Sequence, residues 1–82
     1  MLQNRYQFVD GTFRFYTACF GSWAGDARIV FRVREDTTPK IRAKQKGIKN
    51  YDRLLPATKE EIDMWLEEHD DYKVLKVLNG NV

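Results

Sequence analysis

One cysteine, Cys19, and one histidine, His69, are all that 82 residues provide of the softer ligands and nucleophiles. A lone cysteine closes no internal disulfide, and the pair is too few for a structural zinc site. Proline occurs twice and glycine five times, so no collagen-like or low-complexity stretch exists. No run reaches the roughly 18 consecutive apolar residues of a membrane helix, and no membrane partner is expected. A glycine-rich phosphate loop is absent, as is a second histidine for a relay or a metal pair. Residues 1–5 lead into no apolar stretch, so no signal peptide is expected and the expected location is cytoplasmic.

Catalysis would therefore have to come from Cys19 and His69. Cys19 shares strand parity with Phe13, Phe15 and Thr17, and His69 falls on the inward stripe of a helix, so the two could meet. The simpler reading is stronger. A buried cysteine behaves as a small hydrophobe, and a histidine in a helix's last turn serves the carbonyl end. The expectation is a non-enzymatic chain with no catalytic residue, no metal and no cofactor.

What is present is an ordinary globular composition, 43% hydrophobic and 13% aromatic, enough for one small domain over residues 1–82. The net charge of +2 conceals a segregation. Residues 28–53 hold nine cations and three anions, a net +6, whereas residues 58–71 hold one cation and seven anions, a net −6. Such asymmetry points to binding surfaces and says nothing of the fold.

Asp10-Gly11 between alternating stretches predicts a hairpin with a two-residue type I′ turn. Paired positions would sum to 21, setting Phe8 opposite Phe13 and Tyr6 opposite Phe15. The second strand runs to about Phe20, and 21–26 is a loop. Residues 27–34 alternate as a third strand, with Ile29, Phe31 and Val33 on one side and the arginines on the other. Residues 40–46 alternate again, with a cation at every even position, and predict a fourth strand. Residues 47–56 read as an irregular connection with a turn near 51–54. Thr58 followed by Glu61 is a capping-box pattern, and Ile62, Trp65, Leu66 and His69 recur at helical spacing. Residues 72–78 predict a last strand whose mixed parity suits burial on both faces.

The expected fold is α+β: an antiparallel meander of about four strands, one helix on its apolar face and a C-terminal strand, in the order β-β-β-β-α-β. Its core would hold Tyr6, Phe8, Phe13, Phe15, Ile29, Phe31, Val33, Ile62, Trp65 and Leu66. A half-open barrel of SH3 or OB type is the alternative arrangement.

Two candidate surfaces follow. A third–fourth strand hairpin would align Arg28, Arg32 and Arg34 with Lys40, Arg42, Lys44 and Lys46 on the solvent side, and Arg14 and Tyr16 would join them. Cations about 7 Å apart along a strand track a phosphate backbone, and an exposed tyrosine offers a base a stacking platform. Charged outer faces also simply keep sheet edges from aggregating. The expected partner of this face is nucleic acid, or else an acidic protein surface. The helix presents Glu60, Asp63 and Glu67 on one stripe with Met64 among them. That suits a regulator or inhibitor that meets a basic protein, by mimicking nucleic-acid charge, with Trp23 as a further contact. The basic strands of one copy also complement the acidic helix of another, which allows a salt-sensitive homo-oligomer.

Overall fold

The computed structural model describes residues 4–19, 28–49 and 51–79. Trp23 and the loop expected around it lie outside these residues. The elements are β1 (Asn4–Phe8), β2 (Gly11–Cys19), β3 (Arg28–Arg34), α1 (Pro39–Gln45), β4 (Leu55–Pro56), α2 (Lys59–Glu68) and β5 (Val74–Asn79). The five strands form one antiparallel sheet in the order β3-β2-β1-β5, and the short β4 pairs with β2 beyond the end of β1. The fold is α+β, and the sheet stays open, with β3 and β5 at its edges. No helix among the described residues is long and apolar enough to cross a membrane.

The first hairpin forms where Asp10-Gly11 places it, in a register two residues from the expected one. Tyr6 pairs with Phe13 and Phe8 with Gly11, so the turn residues are Val9 and Asp10. Only Gly11 takes a positive φ, 138°, and Asp10 does not, which rules out the type I′ geometry. A shift of two preserves the faces. The expected aromatic contacts consequently survive as diagonal neighbours: Tyr6 on Phe15 at 5.3 Å and Phe8 on Phe13 at 5.6 Å, both edge to face.

The largest departure from the sequence reading is residues 40–46, expected as a strand: Pro39–Gln45 form helix α1 and Lys46 is its C-cap. Thr38 caps its start by accepting from the Ile41 amide, and Pro39 occupies the first turn, where its missing N–H costs nothing. Lys, Arg, Ala and Gln are good helix formers, and Ile41 is the one β-branched residue among them. The helix ends in a Schellman motif. Gly47 takes φ +77°, its N–H donates to Lys44 O at 3.0 Å, and the Ile48 N–H donates to Ala43 O at 3.0 Å.

A helix at this position forces a second layer. Ala43 and Ile48 are buried against Ala18, Phe31 and Val33, with Tyr16, Ile29, Tyr51 and Leu54 around them. The opposite sheet face holds Tyr6, Phe8, Phe13 and Phe15 against Ile62, with Trp65 and Leu66 packed alongside. The expected single core is thus two cores, one under each helix. The register explains the split: Arg14 pairs with Val33 and Tyr16 with Phe31, whereas Phe13 pairs with Arg34 and Phe15 with Arg32. Paired residues share a face, so Ile29, Phe31 and Val33 lie opposite the Phe13 and Phe15 side on which they were expected.

Helix α2 follows its sequence signals. Thr58 accepts from the Glu61 amide while the Glu61 carboxylate accepts from the Thr58 amide, and Ile62 is its most buried residue. In β5 the mixed parity comes from a bulge instead of two-sided burial. Lys76 sits opposite Gln7 and Val74 opposite Phe8, which leaves Leu75 as the extra residue, exposed to solvent.

Candidate nucleic-acid interface

The split core also splits the expected basic sheet face. Arg28, Arg32 and Arg34 share the α2 side with Phe13 and Phe15, and Arg14 and Tyr16 lie on the α1 side. Lys40, Arg42 and Lys44 belong to α1 and Lys46 is its C-cap, so none of them lies on a strand. Tyr16 packs against the second core, which removes it as a free stacking platform.

Most of the arginines have internal partners. Arg32 is held on both sides. Its guanidinium donates to both oxygens of the Asp10 carboxylate at 2.8 and 3.3 Å, and its plane lies 3.9 Å from the Phe13 ring centroid and 4.3 Å from that of Tyr72. Only 14% of its side chain is exposed. Arg34 donates to the Asp10 carbonyl at 3.0 Å, and Arg28 lies 3.6 Å from the Glu61 carboxylate. Across the sheet, Glu35 binds Arg5 at 2.6 Å and stands 4.0 Å from Arg14. These cations tie turns and faces of the fold together.

The side-chain hydrogen bond from Arg32 lowers the pKa of Asp10 below the usual carboxylate value. A group whose folded pKa is depressed contributes stability above its unfolded value, near ~3.9, and loses it as pH falls through the folded value. Asp10→Asn is expected to cost at most about 1 kcal/mol near neutrality, since the aspartate side chain is half exposed. Thermal unfolding of both proteins from neutral pH into acid checks this: the gap between them should close below about pH 4.

The cations of α1 differ from the arginines. Successive residues turn by about 100°, so Lys40 and Lys44 share one flank of the helix, and Arg42 and Lys46 share the other. The fully buried Ala43 points between them into the core. Lys40 and Lys44 lie over the Tyr51 ring, 5.5 and 4.7 Å from its centroid. Among the described residues no carboxylate pairs with any of these four, nor with Lys49 and Arg53, both exposed in the turns that follow. Burial, and after it the charge of Arg42, lowers the pKa of Lys46. Lys49 and Arg53 fell inside the +6 block of the sequence but beyond the predicted strand, so alternation did not point to them.

Arg42 and Lys46 face a groove of about 520 Å³ that runs along the outer edge of β3, between α1 and α2. Arg28 and Arg32 enter it from the strand; Met64, Trp65 and Glu68 line the α2 side. Trp65, His69 and Tyr72 form its aromatic end. The Trp65 and His69 rings stack at 4.0 Å, Tyr72 lies 5.4 Å from Trp65, and Nδ1–H of His69 donates to Trp65 O at 2.8 Å. His69 thus serves its helix's carbonyl end, and the side chain of Cys19 lies outside the described residues.

On α2, Glu60, Asp63, Met64 and Glu67 are all exposed, Met64 by 62%. Asp63 is bound by Lys59 at 3.1 Å, one turn earlier; Glu60 and Glu67 have no ion-pair partner among the described residues. The arrangement has no grouping of three or more metal-ligating side chains among the described residues. Compared with protein-family models, curated proteins and solved structures, the chain matches none.

Proposed function

We propose that this chain is a small non-enzymatic binding module that engages nucleic acid, through the cationic surface of α1 and the turns after it. One observation carries the reading. Lys40, Arg42, Lys44, Lys46, Lys49 and Arg53 gather six positive charges with no carboxylate paired to them among the described residues, while Arg5, Arg28 and Arg32 pair with carboxylates and Arg34 donates to a backbone carbonyl. A fold that satisfies some of its cations and leaves a contiguous set open presents a field that phosphates would complete. The contact is sequence-independent in this reading, because point charges on lysines position a backbone without reading base edges.

Titration of labelled single-stranded and duplex DNA and RNA tests it. Neutralising four phosphates makes log K fall against log [salt] with a slope of about −2.8 on a single strand and about −3.6 on a duplex. No measurable binding to any of the four at about 50 mM salt would remove the proposal.

The exposed Met64 supports a second reading, in which the acidic face of α2 meets a basic protein. A flexible thioether among Glu60, Asp63 and Glu67 is an adaptable contact surface.

A further inference from the structure

We propose that the outer edge of β3 is a docking edge for an extended acidic peptide, which adds there as a further strand in the groove between α1 and α2. The inference shares Arg42 and Lys46 with the nucleic-acid surface but adds the strand backbone to them, whereas Lys40, Lys44 and Lys49 belong to that surface alone.

The backbone supplies the first argument. The Glu35 N–H donates to Thr12 O at 2.8 Å, so the odd residues of β3 carry the ladder to β2. In an antiparallel pair this role alternates, and Arg28, Val30 and Arg32 therefore turn their N–H and C=O groups to the open edge. The carbonyl of Arg34 is already taken by the Thr37 N–H at 2.9 Å, which sets the end of the free stretch. No described strand pairs with this edge. The opposite edge, β5, carries a bulge that disrupts further pairing, whereas the β2–β3 register is regular over all seven residues of β3.

Charge supplies the second argument and selects the occupant. Four cations, Arg28, Arg32, Arg42 and Lys46, enter the groove; Asp10 holds Arg32 and Glu61 lies against Arg28, which leaves Arg42 and Lys46 against Glu68. Glu61 is engaged by the α2 cap and by Arg28. A second copy pairing edge to edge would set Arg28, Arg32 and Arg34 beside the same residues, a like-charge array that costs stability. An acidic strand reverses that sign. Alternate side chains of an added strand point to opposite faces, so acidic residues would meet Arg42 and Lys46 on the α1 side while apolar ones meet Met64 and Trp65 on the α2 side. The occupant is thus an extended peptide with alternating acidic and apolar residues.

A fluorescein-labelled heptapeptide alternating Glu and Leu is the probe, read by anisotropy against the full chain. Saturable binding is expected, weakened about tenfold or more when the backbone amides of one alternate set are N-methylated and little changed when the other set is methylated. The double variant Arg42→Glu, Lys46→Glu should weaken binding by a similar factor, and Lys40→Gln, Lys44→Gln, Lys49→Gln should leave it within about twofold. Amide shifts should appear at Val30 and Arg32. Absence of binding, indifference to methylation of either set, or the same amide shifts on adding oligothymidylate but not peptide would each overturn the proposal. Failure of the nucleic-acid reading alone leaves these outcomes unchanged.

Discussion

Phe31→Ala is expected to cost about 3–5 kcal/mol, the range for truncating a fully buried phenylalanine. A chain of this length has about 4–12 kcal/mol of total stability, so the variant should sit at or near the edge of folding. The reason is position. Phe31 is 1% exposed on the face of β3 that α1 covers, and it fills the space shared by Ala18, Val33, Ala43 and Ile48. Its neighbour Ala43 has no exposed surface, so Ala43→Leu should overpack the same seam and cost about 1–3 kcal/mol. Val9→Ala, at a turn position that is almost wholly exposed, should stay within about 0.5 kcal/mol of the parent. Urea titrations give these differences directly. Hydrogen exchange gives the more pointed test, because a cavity at Phe31 loosens α1: amides of 40–45 should lose protection ahead of those of 59–68. The reverse order would place Phe31 under α2, as strand alternation alone had suggested.

The second large effect is on binding. Replacing Lys40, Lys44 and Lys49 with Gln removes three positive charges from exposed positions, at the loss only of the contacts of Lys40 and Lys44 with the Tyr51 ring. If each contacts a phosphate, affinity for a single strand at about 50 mM salt should fall by about two orders of magnitude, and it should fall equally for every base sequence. Circular dichroism should be unchanged, since Lys and Gln have similar helix propensity. Charge removal at Arg32 is not an equivalent experiment. That guanidinium is clamped between Asp10, Phe13 and Tyr72, so Arg32→Gln would act on stability before it acted on any ligand.

Comparing these residues shows what was legible in the chain. Helix α2 was readable because cap, capping box and apolar stripe agree at 58–69, and local and tertiary demands coincide there. The first hairpin was readable in its faces but not its register, since a shift of two residues leaves every side chain on the same side. Residues 40–46 misled through a coincidence of periods. A cation at every second residue is also two i,i+4 pairs on the flanks of a helix, with Ala43 between them. The deciding signals were Thr38-Pro39 before the run and Gly47 after it, which are helix start and stop signals rather than strand ones. Once 40–46 is a helix, β3 becomes a sheet edge covered on both faces. No alternation rule for one-sided strands could then place Phe31 and Arg32. The charge block was legible as sequence, but its division into satisfied strand arginines and the open cations of α1 and the turns after it was not. That division depends on Asp10 and Glu35, which reach their partners only through the folded sheet.

The salt dependence of single-strand binding, measured for the parent chain and the Lys40, Lys44, Lys49 triple variant, tests the central claim most directly. If α1 and its following turn form the phosphate-contacting surface, the parent should show a steep negative slope and the variant a slope shallower by about 2.1. Equal slopes for the two proteins would contradict the account, because the lysines left open by the fold would then contact no phosphate.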